Sequence, residues 1–346
     1  MPESSLSRLS FSRKTDDEIF SKDARKIIDP RSISLRAIKE LRDEVLSGKA
    51  AQGRTKPGGK LQGRVPYVGV PITFEPGKDA DPKPRQDWST EDITEYVVLA
   101  LTKSLPQAQF YLNHVDEKDV GAEFHGTFVS QARKCRFQDL VEALEDHFGQ
   151  DADTAFIWLD LFCANQPLLT SADEALSPDV ILARNQYLTH GLHRAIGRFE
   201  SAVIFFDRWD VPAPLQRAWC VWEIMGAITQ AQRFQVAFAP GQEQAFIETL
   251  LKGGVDGLIK ILADNNNMRN AKCWKMEDKE MIDKAVEMTV DGGYVTLIKE
   301  VNQRVHAWRL QMAQDAIAQA RDGDPLKLAE ILHCTGTLLN SQGEYN

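Results

Sequence analysis

The sequence is short of several features that would each have pointed to a class of function. It has only five cysteines in 346 residues, Cys135, Cys163, Cys220, Cys273 and Cys334. Their odd number, wide spacing and lack of a C-x-x-C pair argue against a disulfide framework and suit reduced thiols in a cytosolic protein. No apolar run approaches the roughly 18 residues of a membrane span, and the amino-terminal stretch lacks the apolar segment of a secretory leader. Residues 5–14 are rich in serine and arginine, but Asp16, Asp17 and Glu18 follow at once, which argues against a transit peptide. A basic excess is missing too. The net charge is −9 and the pI about 5.4, so nucleic acid and anionic membrane surfaces are not the expected partners. Cytoplasmic location is the resulting expectation.

Common catalytic signatures are also missing. There is no Ser-His-Asp constellation and no G-x-S-x-G elbow. The glycines of Pro57-Gly58-Gly59-Lys60 lack the P-loop spacing. His190 and His193 are spaced to share one helical face, but no carboxylate or cysteine accompanies them, so no metal site and no resident cofactor are expected.

What remains is an ordinary globular composition, 43% hydrophobic and 26% charged. The length allows two or three domains. Residues 1–30 read as a polar arm. Leu35, Ile38, Leu41 and Val45 recur at helical spacing and predict a helix over 32–47, ended by Gly48. Residues 49–64 are basic and glycine-rich and read as a linker. Residues 65–73 read as an edge strand, because Pro66 and Pro71 exclude a central one, and 75–87 read as a loop. Ser89 and Asp92 form a capping-box pair that starts a helix running to about Ser104.

Between about 125 and 240 the pattern changes. Short apolar runs at 126–130, 155–160, 201–206 and 233–239 alternate with helical segments at 136–148, 179–197 and 215–231. Such alternation predicts an open, mostly parallel sheet with helices on both faces. Helices follow at 277–289, 293–321 and from 326 onward. The expected divisions are 1–87 (arm, helix and linkers), 88–240 (the α/β domain), 241–322 (a helical extension) and 323–346.

Three segments carry the chemistry. The first is Phe128-Val129-Ser130-Gln131-Ala132, a strand entering a polar turn. The second runs from Phe156 through Trp158, Asp160 and Cys163 to Asn165-Gln166. The third is Pro212-Ala213-Pro214-Leu215-Gln216-Arg217-Ala218-Trp219-Cys220-Val221-Trp222-Glu223-Ile224. In open α/β sheets, ligands sit beyond the carboxyl ends of the strands. Ser130 and Asp160 fall at two such ends, and Glu223 lies in the helix after a third strand. On that helix Leu215, Ala218, Trp219 and Trp222 form the expected core stripe. Glu223 borders it beside two indoles and a thiol, which would partly desolvate its carboxylate and raise its pKa.

The second segment resembles the W-x-D-x-x-C-x-N-Q signature of HET domains, and the third resembles the R-x-W-C-x-x-E helix of TIR domains and their HET-like relatives. The order of all three is similar to a TIR-like family found ahead of tetratricopeptide or kinesin-light-chain-like repeats. The resemblance covers roughly 120–235 and implies a flavodoxin-like, TIR-like α/β fold. One departure stands out: Gln131 and Arg133 occupy positions where such relatives carry His and Trp.

TIR domains with enzyme activity cleave the nicotinamide–ribose bond of NAD. The resemblance therefore implies NAD as substrate and Glu223 as catalytic residue, stabilising positive charge on the ribose as nicotinamide leaves. Asp160 and Asn165 would order the ribose or its covering loop, and Trp158 and Trp209 would stack on a ring. Ser130, Arg217 and Cys220 complete the substrate-binding candidates. Plainer roles stand beside these: Asp160 ordering its loop, Glu223 pairing with Arg217, and Trp158, Trp219 and Trp222 as core. The alternative function is a noncatalytic module that self-associates through TIR-type surfaces. Its protein partner would then be bound by tetratricopeptide-type repeats, whose first helix and turn Leu328–Tyr345 resembles.

Overall fold

The structure, a computed structural model, describes residues 24–47, 84–102, 110–171, 175–186, 191–230, 233–249, 265–273, 276–321 and 325–341. The expected linker at 49–64, the edge strand at 65–73 and His190 lie outside these. Contacts divide the described chain into two compact units. A sheet unit takes in residues up to Phe205 together with Gly226–Ala237, and a helical unit holds Phe206–Met225 and the chain from Phe238.

The protein is α/β, with a six-stranded, mostly parallel open sheet. Its strands are β1 (Arg31–Ser34), β2 (Val120–Glu123), β3 (Thr127–Ser130), β4 (Phe156–Leu159), β5 (Ser201–Phe206) and β6 (Phe234–Phe238), in the order β2-β1-β4-β3-β5-β6. β3 pairs in parallel with β4 on one side and β5 on the other. β6 runs the same way as β5: Ala202 N–H donates to the Arg233 carbonyl near its start, and Ala239 N–H to the Phe206 carbonyl near its end. The four parallel strands thus follow the order second, first, third, fourth, which is consistent with a flavodoxin-like sheet. β1 joins antiparallel to β4, and β2 antiparallel to β1.

The apolar runs read from sequence as strands explain the centre of this sheet. Phe128, Trp158 and Phe199 form one aromatic cluster. Phe128 and Trp158 stack with centroids 5.1 Å apart, and Phe199 lies 5.9 Å from Trp158. Helix α4 (Phe137–Phe148) buries Phe137, Leu140, Val141 and Leu144, the face that its three- and four-residue spacing presents. Helix α3 opens at Thr90 with the expected reciprocal capping box between Ser89 and Asp92, and continues through a π turn to Thr102.

The structure corrects the amino-terminal reading. The predicted helix over 32–47 begins as β1 and becomes helix α2 only at Leu35 (Leu35–Ser47). Arg31-Ser32-Ile33-Ser34 is too short for periodicity to separate strand from helix, and its pairing with β4 decides the matter. The apolar face Leu35, Ile38, Leu41 and Val45 is buried as expected, and Lys39 and Arg42 of α2 pair with Glu145 of α4. The segment 31–47 is therefore woven into the sheet unit rather than appended to it. β2 was not predicted either. Val-Gly-Ala-Glu has little strand character, and Gly121 is needed because a Cβ there would lie 2.8 Å from the Phe156 ring.

The helical unit contains helix α10 (Met276–Thr289), α11 (Gly293–Ala320) and α12 (Pro325–Ser341), and α11 packs on α12. Helix α9 (Ala218–Gln230) belongs to it up to Met225. α9 starts later than the predicted residue 215, because Pro212 and Pro214 shape a 3-10 turn over Ala213–Gln216 first. Among the described residues no helix is long and apolar enough to cross a membrane.

Candidate functional site

The eight residues singled out from sequence divide between the two units. Ser130, Trp158, Asp160 and Asn165 belong to the sheet unit, and Trp209, Arg217, Cys220 and Glu223 to the helical unit.

In the sheet unit, the carboxyl ends of β3 and β4 meet in a polar cluster. Ser130 ends β3 and is buried. Asp160 follows β4 directly, and both oxygens of its part-buried carboxylate accept hydrogen bonds. It accepts from Gln131 Nε2 at 3.4 Å and from an Arg133 guanidinium nitrogen at 3.3 Å, and the Leu161 N–H donates to it at 2.8 Å. The same Arg133 nitrogen donates to Gln166 Oε1 at 3.1 Å, while Gln166 Nε2 donates to the Asp160 carbonyl at 2.6 Å. Behind them, the Thr90 hydroxyl donates to Gln131 Oε1 at 2.8 Å and the Cys135 thiol donates to the same oxygen at 3.3 Å. Gln131 and Arg133, the two departures from the TIR-like pattern, thus join this network as donors to Asp160. A buried polar network with its members paired rigidifies its surroundings.

The remaining residues of the second motif are used in packing. Trp158 is buried beneath the Phe128 ring, and its indole N–H donates to the Asp29 carbonyl at 2.9 Å. Asn165 is wholly buried. Its side chain caps helix α6 (Gln166–Thr170) by accepting from Leu168 N–H at 3.1 Å, and donates to the Lys26 carbonyl at 2.9 Å. Cys163 is buried, and burial pushes its thiol pKa well above the usual range. These placements leave Trp158 and Asn165 little surface to offer a ligand. Nothing in the sequence marked Asp29 or Lys26 as their partners, since both contacts cross long stretches of chain.

In the helical unit, Trp209 is buried with its ring 5.3 Å from that of Phe246, and its backbone N–H donates to Gln242 Oε1 at 3.1 Å. Arg217 bridges in parallel to Lys272 through the backbone, ahead of α9. Cys220 and Trp222 are buried, and Glu223 is half-buried. Trp219 departs from the expected core stripe: it is half-buried, and its indole N–H donates to Asp278 at 3.3 Å.

Asp207, at the carboxyl end of β5, escaped the sequence reading because a lone Asp-Arg-Trp-Asp loop carries no motif. Burial raises its pKa above the ordinary 3.8. Bonds from the N–H groups of Ala213, Asp207 itself and Arg208 oppose that only in part. A carboxyl whose folded pKa is raised contributes most to stability below its unfolded pKa and loses that contribution as pH rises through the folded value. Asp207→Asn keeps an oxygen for Ala213 N–H and removes the charge. It is expected to melt about 1–3 °C above the wild type at pH 7 and to lose that advantage near pH 4. Thermal melts at the two pH values check this, and a lower melting temperature at pH 7 would count against the burial argument.

Among the described residues, no group of three or more His, Cys, Asp or Glu side chains is placed to hold a metal ion. The chain matches no protein-family model, no curated protein and no solved structure.

Proposed function

We propose that this chain carries a TIR-like signalling module that acts by self-assembly rather than by cleaving NAD. One observation carries the reading. At the strand ends where a ligand would be expected, Asp160 is held by Arg133 and Gln131, the residues that replace the relatives' Trp and His. A carboxylate engaged this way is poorly placed to orient a ribose. The burial of Trp158, Asn165 and Trp209 supports the same view, since stacking or ribose binding needs accessible faces. In this proposal assembly uses TIR-type surfaces. Helix α12, which resembles the first helix of a tetratricopeptide-type repeat, serves in this proposal to take a protein partner.

A second reading, NAD nucleosidase, keeps one observation in its favour. Glu223 is the only charged side chain in α9, and it is half-buried where most of its helix is buried. A carboxylate only half-exposed on a mostly buried helix is partly desolvated, the setting in which catalytic carboxylates are found.

The deciding experiment measures nicotinamide release by the wild type and Glu223→Ala at high concentration, with and without a clustering agent, alongside light scattering. The assembly reading expects mass to grow with concentration and no nicotinamide release that depends on Glu223. Release by the wild type alone would overturn it in favour of the enzyme.

A further inference from the structure

The carboxyl end of β4 is filled by the chain's own segment just ahead of β1. Residues 26–30 run along the motif that follows β4. Asp29 N–H donates to the Cys163 carbonyl at 2.8 Å, and Asn165 N–H donates to the Ile27 carbonyl at 2.8 Å. Ile28 and Ala164 form an antiparallel bridge. The side chains of the motif add to this: Trp158 donates to the Asp29 carbonyl and Asn165 to the Lys26 carbonyl, each at 2.9 Å. Ile27 and Ile28 are 1% and 2% exposed. Three residues of the HET-like signature, Trp158, Cys163 and Asn165, therefore bind peptide backbone.

We propose that this end of β4 is a groove for a short peptide with two adjacent branched apolar residues, bound through its backbone with a single strand-like pairing as it leaves a helical turn, and that Lys26–Asp29 holds it shut in cis. Strand addition is an established mode of peptide recognition, with backbone bonds giving affinity and pockets giving selectivity. Here the backbone bonds come from 163–165, and Ile27 and Ile28 are the side chains buried.

The strap is built to open separately from the sheet. Its strand pairing is a single bridge rather than a ladder, beside which it is held by the bonds above and the Arg25–Glu123 ion pair. Its helix, α1 (Ala24–Ile27), is one turn long and too short to persist unaided. The sheet pairing of this region begins at Arg31, beyond Pro30. Opening the strap thus leaves the β1 pairings in place, the pattern of a local rather than global unfolding event. The proposal does not depend on whether the sheet unit is catalytic.

Two measurements on the full chain test it. In native-state hydrogen exchange, the Asp29 and Asn165 amides should exchange together, at least about 100-fold faster than the amides pairing β3 with β5. A labelled peptide with the sequence of residues 24–31 should bind Ile28→Ser at least about 10-fold more tightly than the wild type. The same peptide with both isoleucines changed to serine should not bind. Ile27→Ser serves as the second variant, and retained protection of the β3–β5 amides certifies that either one is folded. Exchange of the strap amides only at the rate of the β3–β5 amides would overturn the proposal, and so would a folded variant that does not bind the peptide. Should both variants fail to fold, the wild-type exchange rates alone decide.

Discussion

Gly126→Ala is expected to leave little soluble, folded protein. Gly126 precedes β3 with φ of +89°, in the left-handed region that a side chain disfavours. A Cβ there would overlap the Phe156 carbonyl oxygen, and it would also lie 2.8 Å from the carbonyl carbon and 2.9 Å from the Phe156 Cβ. Those are backbone and near-backbone atoms at the start of β4. They cannot step aside, because Phe156 pairs with Ser34 of β1 while β4 is locked to β3 by its next residues. Conformational strain of about 1–2 kcal/mol therefore adds to an overlap that only a shift of β4 could relieve. The sum should exceed about 4 kcal/mol, a large part of a domain's stability. Gly149→Ala is the control. Its φ is +54°, but nothing lies within 4 Å of an added Cβ, so it should cost only the backbone strain, about 1–3 kcal/mol. Soluble yield and urea midpoints measure both, and a Gly126→Ala protein melting within a few degrees of the wild type would refute the geometry.

Trp158→Ala carries the second large expected effect, and it separates two roles for the motif. A tryptophan kept for stacking on a ligand can be removed with modest loss of stability. Trp158 instead sits in the aromatic cluster with Phe128 and Phe199 and anchors the strap at Asp29. Truncation to alanine should therefore cost about 3–5 kcal/mol. Trp158→Phe retains most of the ring and removes only the N–H. The Asp29 carbonyl is then left without that bond inside the protein, for a loss of about 1–3 kcal/mol. Denaturant unfolding of both variants tests the order. A stable Trp158→Ala protein that had lost only a binding activity would return the residue to the ligand site.

The parallel centre of the sheet was readable because its strands are apolar runs bounded by turn residues, and β5 coincides with the run at 201–206. The helix face Leu35, Ile38, Leu41 and Val45 was readable for the same reason, since its period is carried by the residues themselves. β1 and β2 were not, because four residues are too few to display a period and their pairing is decided by distant chain. The candidate site divides along the same line. Asp160 could be placed at a strand end from the local pattern, and Gln131 and Arg133 stood out as departures. That Arg133 reaches Asp160, or that Trp158 and Asn165 hold residues 26–29, depends on segments brought together only by folding. Asp207 shows the converse case, a carboxyl whose environment is set by burial and so leaves no trace in spacing.

The two antiparallel strands have a consequence for how copies of this molecule can meet. In a purely parallel sheet of the order seen here, β4 would be an outer rim. β1 and then β2 cover it, so among the described strands the rims are β2 and β6. These two rims run in the same direction but are unlike in sequence and length. A head-to-tail polymer built by rim pairing would have to join β2 of one copy to β6 of the next, whereas two-fold pairing would join like to like. Among the described strands β4 is no rim, so a filament built by rim pairing would be polar along its sheet.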